Sequence, residues 1–499
     1  MTPSLISPPR VPATVPAGGT WIDEWHPEDD AYWEAVGRQV ARRNLVASIF
    51  AEHVGFSVWL LFSVCAAYLP FAGFDFASSQ LFLLVALPNL VGALLRLPYT
   101  FILGWIGGRN WAAIKTALLL LPTLSFAWAV QRPDTPYAVF VGIAVLVGLG
   151  GGGFASSMAN INHFYPASAK GLALGLNAAG GNIGSAVAQF FVPLVVGGTG
   201  LFGLVKGGVL HLERAGYLYA GLAVIATVCA ARSMNNLRTA KSNPRQVLAM
   251  FGQKHTIVMS LLYIGTFGSF IGYAAAMPLL IKLNFAVVDP ATGETVGIHF
   301  AYYAFIGALV GSLTRPVGGW LADRLGGARV TQAVFMVMIA GAGGVLYTLS
   351  QLTPNPDKDP AIALENQSLF PWFLAAFVVV FAATGIGNGS TSRMIPLIWR
   401  HKHTDGLAES SEEHEAAVVA ATRSSSAVIA IAGAVGALGG FLIPMTFGAP
   451  WVDDPVAAVR SAFVVFAGYY VFCLGLTWFE YTRRHLFTDR IPSLAHARI

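Results

Sequence analysis

Two arginines stand in apolar surroundings at matching places in the chain. Arg96 follows Gly92 by four residues and precedes the pair Gly107-Gly108 by eleven and twelve; Arg315 follows Gly311 and precedes Gly326-Gly327 at the same steps. If each glycine pair marks a turn at the membrane surface, both guanidiniums lie about 16 Å inside it, at 1.5 Å per helical residue. That is half a bilayer. A charged side chain there costs at least about 2.5 kcal/mol on insertion scales and needs a partner or a cavity. No acid is expected at that depth, because Glu52, the one candidate, sits within a turn or two of the start of its apolar block. Binding of an anion is therefore the stronger reading, and fastening helices through a buried ion pair the weaker. Arg393 and Arg423 are lesser candidates: Arg393 can snorkel toward the basic Arg400-His401-Lys402 end of its block, and Arg423 has the acidic stretch Glu409–Glu415 as a possible partner.

The elements that must position these arginines are membrane helices. Charged residues make up 11% and AVILMFWYC 55% of 499 residues, against roughly 25% charged in soluble globular chains. Apolar blocks near 46–70, 81–106, 111–131, 137–163, 169–197, 216–236, 256–282, 297–322, 329–350, 370–398, 415–446 and 459–481 are each long enough to span a bilayer. Basic residues concentrate on one side, at Arg38, Arg42 and Arg43 and again at Arg232, Arg238, Arg245 and Lys254, which places both termini in the cytoplasm. The acids Asp289, Glu294, Asp453 and Asp454 fall on the other side. This divides the chain into a cytoplasmic segment (1–45), a six-helix bundle (46–236), a linker (237–255), a second six-helix bundle (256–481) and a cytoplasmic tail (482–499). Residues 33–43 read as a short interfacial helix, and no cleaved signal peptide is apparent.

Several functions are disfavoured. Cys65, Cys229 and Cys473 lie in separate apolar blocks without metal or redox spacing. No loop carries a nucleophile–base or metal-ligand constellation, so no enzyme, catalytic residue, cofactor or metal is expected. The net charge of +5 gives no reason to read nucleic-acid binding.

The halves repeat one another beyond the arginines. Gly148, Gly150 and Gly152 of span 4 match Gly385, Gly387 and Gly389 of span 10, and Gly319–Arg329 after span 8 has a partial counterpart in Gly107-Gly108-Arg109 after span 2. Span 4 runs Gly150-Gly-Gly-Gly153-Phe154-Ala-Ser-Ser157; span 5 carries Gly175-Leu-Asn177-Ala-Ala-Gly180-Gly181-Asn182; span 10 carries Gly387-Asn388-Gly389-Ser390. Small residues let helices approach closely, so packing alone explains any one of these runs. Taken together, with Arg42-Arg43-Asn44-Leu45, Ala93–Tyr99 and Tyr263–Gly272, they resemble the nitrate/nitrite porter family of the major facilitator superfamily, closest to its NarK branch.

That resemblance implies an all-α membrane protein of the major facilitator fold, with twelve transmembrane helices in two six-helix pseudo-repeats, in the cell inner membrane. It implies that Arg96 and Arg315 bind nitrate or nitrite, that Phe154 and Phe267 enclose the anion, and that Tyr263 and Asn177 hydrogen-bond to it. Gly175, Gly180, Asn182, Gly387, Asn388, Gly389 and Ser390 would line or gate the pathway. For Phe154 and Phe267, residue type alone favours packing; the motif context reverses that. A planar guanidinium suits a flat oxyanion, and the scarcity of titratable groups in the membrane core favours nitrate/nitrite antiport over a nitrate/proton symport read through Glu52, His53 or His163. A non-transporting anion sensor would need a signalling domain for which no cytoplasmic segment is long enough. The partners expected are nitrate, nitrite and the lipid bilayer, and the chain is expected to function as a monomer.

Overall fold

A computed structural model describes residues 15–197, 210–240, 244–288, 295–355, 358–408, 411–449, 455–484, 493–495 and 499. Asp289, Glu294, Asp453, Asp454 and Glu409 of the charge reading lie outside these. Among the described residues, eleven helices are long and apolar enough to cross a membrane: Asp30–Ala72, Ser78–Ile106, Gly108–Val130, Tyr137–Phe164, Ser168–Val196, Glu213–Ser233, Lys254–Phe285, Gly327–Ser350, Phe370–Thr404, Glu412–Phe447 and Val456–Thr482. The twelfth is Ala304–Leu325, 22 residues long, whose hydropathy is lowered by Arg315, Asp323 and Arg324. These are spans 1 to 12 in chain order, with Ala304–Leu325 as span 8. The expected twelve-helix, two-repeat fold is present, with two small sheets added.

The repeat is visible in the backbone. Span 2 ends at Gly107 with φ +89° and span 8 at Gly326 with φ +90°, and each glycine leads directly into the next helix. An L side chain rarely adopts that region, so glycine permits the sharp turn. Arg96 and Arg315 therefore stand at the same height above the same turn.

The first helix begins earlier than the apolar block. Residues 33–43 do not form a separate interfacial helix but continue without a break into span 1. The reason is amphipathic packing: Tyr32, Val36 and Val40 recur every fourth residue and join Trp25, Ile22, Phe164 and Leu237 in one buried cluster. Ahead of it, β1 (Trp21–Ile22) pairs in parallel with β2 (Asn236–Leu237), just after span 6. Two basic motifs converge here. Arg43 Nη2 donates to Asn235 Oδ1 at 2.7 Å, Asn44 Oδ1 accepts from the Asn235 N–H at 2.8 Å, and the N–H of Arg109 donates to Asn236 Oδ1 at 3.0 Å.

On the opposite side the two halves are joined directly. Gln189 Nε2 donates to Ser63 Oγ at 2.8 Å and to the Ala274 carbonyl at 2.6 Å, while Lys282 donates to the Ala67 carbonyl at 2.8 Å with its ammonium over Phe71. Tyr68 packs edge-on against Phe300 at 4.9 Å. The loop beyond span 7 forms an antiparallel pair, β3 (Ala286–Val288) with β4 (Thr295–Gly297). His299 follows, stacked on Phe300, with Nδ1 accepting from the Ala301 N–H at 3.3 Å.

Burial, and secondarily the Lys282 ammonium, push the His299 pKa down to about 4, against about 6.5 in an unfolded chain. Between these values the unfolded state binds more protons, so this contribution to stability is complete above about pH 6.5 and falls as pH drops toward 4. Melting temperature should therefore decline over that window more steeply in the wild type than in His299→Gln. Parallel pH profiles for the two proteins would contradict this assignment.

Candidate functional site

Arg96 is fully buried at the interface between the halves. Its Nη1 donates to the carbonyl of Gly433 in span 11 at 2.7 Å, and its Nε reaches the Gly151 carbonyl of span 4 at 3.4 Å. Three rings surround the guanidinium carbon: Phe267 at 4.9 Å, Phe154 at 5.2 Å and Trp59 at 5.5 Å from their centroids. Arg315 Cζ lies 5.8 Å from the same Phe154 ring, so one phenyl group lies against both guanidiniums. Such contacts offset part of the cost of desolvating a cation.

They do not complete its hydrogen bonding. Arg96 Nη2 and Arg315 Nη1 are buried and have no partner among the described residues. An orphaned charged donor costs at least about 1–3 kcal/mol, so two at one place point to an anionic ligand as the missing acceptor.

The other expected residues collect here to different degrees. Tyr263 is buried beside Phe267 at 6.4 Å between centroids, near both arginines, with its hydroxyl in reach of Ser392. Asn177 is buried on span 5; its Nδ2 donates to Ser157 Oγ at 3.1 Å, and its Oδ1 is unpaired. Asn182 and Asn388 likewise keep a buried Oδ1 with no partner among the described residues. Ser390 instead bonds Thr331 of span 9 at 2.8 Å, a helix-packing contact.

The signature glycines divide between packing and open space. A Cβ at Gly389 would come under 3.0 Å from the Arg315 carbonyl and the Gly319 N, both backbone. At Gly387 it would strike Thr266 Cγ2 at 2.7 Å, and at Gly180 the Ile49 side chain at under 3.0 Å. Gly175 has nothing within 4 Å. The glycine runs thus set helix separations around the arginines, and Gly389 sets that of Arg315 itself.

Three sequence readings are corrected. Glu52 is not at a hydrated helix end: span 1 starts so early that Glu52 is about four turns past Arg38 and only 1% exposed. It pairs with Lys115 of span 3, also buried, so an acid is present in the membrane but already neutralised. Arg393 has an acidic partner the sequence reading lacked: its Nε donates to Asp323 in the last turn of span 8. Arg423 is exposed, and no carboxylate pairs with it among the described residues. His163 is half-buried.

Sequence reasoning missed Trp59, Gly433 and Lys115. Trp59 fits a slot left by Gly92 and Gly151, where added Cβ atoms would lie under 3.0 Å from its indole, and donates Nε1 to the Pro88 carbonyl at 2.9 Å. Span 11 carried a signal for Gly433 in its run of small residues, Gly433, Gly436, Gly439 and Gly440. Lys115 was legible as a lone lysine inside the span 3 block.

Two pseudo-symmetric six-helix bundles meeting around buried cations is an arrangement that secondary transporters share. Comparison with known proteins agrees. The pattern of the Major Facilitator Superfamily matches residues 54–403. The chain is 37% identical to the nitrate/nitrite transporter NarU of Escherichia coli K12 over 93% of this chain and 96% of that one. It is 32% identical to a probable nitrate/nitrite antiporter NarK2 of Thermus thermophilus, over 94% and 98%. In fold it resembles a D-xylose-proton symporter (TM-score 0.57, 15% identity, 87% and 96% covered) and the nucleoside transporter NupG (0.54, 13%, 88% and 98%). The chain belongs to the major facilitator superfamily and, within it, to the family of the nitrate/nitrite transporters. It is a multi-pass membrane transporter.

The glycine geometry gives a contrast that does not depend on the substrate. Gly389→Ala should destabilise the protein by about 1–3 kcal/mol, as overpacking against rigid backbone does, whereas Gly175→Ala, in a helix with open space beside it, should cost nothing and can raise stability by up to about 1 kcal/mol. Melting temperature and monodisperse yield in detergent would show it; equal behaviour would contradict the packing role of Gly389.

Proposed function

We propose that this chain exchanges nitrate for nitrite across the inner membrane by alternating access, with both termini in the cytoplasm and one chain forming the working unit. The observation that carries this reading is the pair of free guanidinium donors, Arg96 Nη2 and Arg315 Nη1, on a shared Phe154 ring. A flat monovalent oxyanion accepts from both in one plane while lying between aromatic faces, whereas a tetrahedral anion does not fit flat rings as closely. Arg96 and Arg315 bind the anion, Phe154 and Phe267 enclose it, and Tyr263 and Asn177 add hydrogen bonds. The names of the relatives support the substrate.

Exchange follows from charge. Two cations on the order of 10 Å apart repel by about 2 kcal/mol at an effective dielectric near 20, and desolvating them adds several kcal/mol more. Closing both gates around an empty site keeps that cost, while a bound anion offsets it. Reorientation then requires an anion in each direction. Two of the three groups named for proton coupling are engaged elsewhere: Glu52 with Lys115, and His53 Nδ1 with the Gly180 carbonyl at 3.2 Å. This favours exchange over symport.

Nitrate uptake into proteoliposomes should be at least about tenfold faster with nitrite inside than without, a difference of about 1.4 kcal/mol in barrier. Arg96→Lys and Arg315→Lys should each abolish it, since an ammonium keeps the charge but not the planar donors. Robust uptake into empty vesicles driven by a pH gradient would reject exchange.

A further inference from the structure

The buried ion pair between Glu52 and Lys115 is not part of the anion site, yet it is packed directly behind it. Lys115 Nζ also reaches the carbonyl of Gly153 at 3.4 Å. A Cβ at Gly153 would lie 2.8 Å from Lys115 Nζ and 3.3 Å from Glu52 Oε1, so both charges rest on the glycine that precedes Phe154. Arg96 lies within electrostatic range of the Glu52 carboxylate. Beside Lys115 is a cavity of about 10 Å³ whose polar lining is Ser48, Ser156, Ser157 and Asn160 and whose apolar lining includes Leu103 and Met234. It is large enough for about one water molecule, and Asn160, 2% exposed, has no partner for either amide atom among the described residues.

Consider what Glu52 would do without Lys115. A lone carboxylate near Arg96 would act as an internal counter-ion, lowering the attraction of the arginine pair for an external anion. Alternatively it would take up a proton as the anion binds. Either outcome links anion binding to pH. The charged and titratable groups around it are Lys115 from span 3, Arg96 from span 2 and His53 on its own helix; spans 4 and 5 present Gly153 and Gly181 to it.

We infer that Lys115 sets the ion coupling of this carrier: by holding Glu52 as a neutral ion pair, it leaves the arginine charge to the transported anion and keeps protons out of the cycle. Lys115 is thus a positioning residue for a charge, one layer behind the substrate. The inference rests on Arg96 and Arg315 being the anion site.

The test is calorimetric nitrate binding to the purified full-length protein at pH 6, 7 and 8, with proton uptake read from buffers of different ionisation enthalpy. Wild type and Lys115→Arg should bind nitrate with the same affinity at each pH and no proton uptake. Lys115→Met should bind weakly at pH 8 and regain affinity by up to about tenfold per pH unit on acidification, the limit for one linked proton. The double variant Glu52→Gln/Lys115→Met should return to a flat profile, because removing both charges leaves nothing to titrate. A flat profile in Lys115→Met, or equal losses in the single and double variants, would overturn the inference and leave the pair as scaffold. Should Lys115→Met not fold, the wild type still decides, since proton uptake on nitrate binding there also overturns it. Absence of nitrate binding in the wild type at every pH would instead sink the substrate assignment.

Discussion

The structure depends on holding two guanidinium groups where the halves of the molecule meet, with no carboxylate paired to either among the described residues. In a low-dielectric interface a charge is ordinarily neutralised by a partner or lost by titration, and arginine does not readily do the second. Arg96 is instead held by a carbonyl from the other half, at Gly433, and by three aromatic rings. These are weaker than an opposite charge, and a buried donor on each arginine, Arg96 Nη2 and Arg315 Nη1, has no partner among the described residues. The remaining deficit is what an anion can relieve, and under the proposed exchange it is what couples occupancy of the site to closure of the interface.

Much of the surrounding architecture serves that arrangement. Gly92 and Gly151 admit Trp59, which lies against Arg96; Gly389 lets span 10 touch the backbone of Arg315; Gly436 brings span 11 against Tyr263. The glycine cost in helix propensity is offset by close packing, and close packing fixes the guanidiniums between helices. Asp323 and Arg393 tie spans 8 and 10 near the surface, and the Asn235-Asn236 pair ties the N-terminal segment to spans 1 and 3. These contacts join helices within each half, while Arg96 Nη1 and the Gln189 and Lys282 contacts are bonds between the halves.

The sequence made the fold legible because its signals are local. Block length and hydropathy mark the spans, and Arg96 and Arg315 carry their own depth gauge in the glycine turns that follow, whose φ angles agree within a degree. What stayed hidden involves pairing across distant positions. Glu52 and Lys115 are 63 residues apart and Asp323 and Arg393 are 70, and no periodicity announces such partners. The early start of span 1 was obscured because Arg38, Arg42 and Arg43 look like a helix boundary, although the face opposite them is apolar and buried. For Phe154, hydropathy could not separate a ring against a guanidinium from one in the core; only the neighbouring motif could.

The central claim is that one planar anion is shared by both arginines. A structure determined with nitrate tests it most directly, by diffraction or by electron cryo-microscopy at a resolution that shows side chains. The account predicts planar density bridging Arg96 Nη2 and Arg315 Nη1 against the face of Phe154, with Phe267 alongside. Nitrate bound elsewhere, or bound to one arginine while the other donor remains unused, would contradict it.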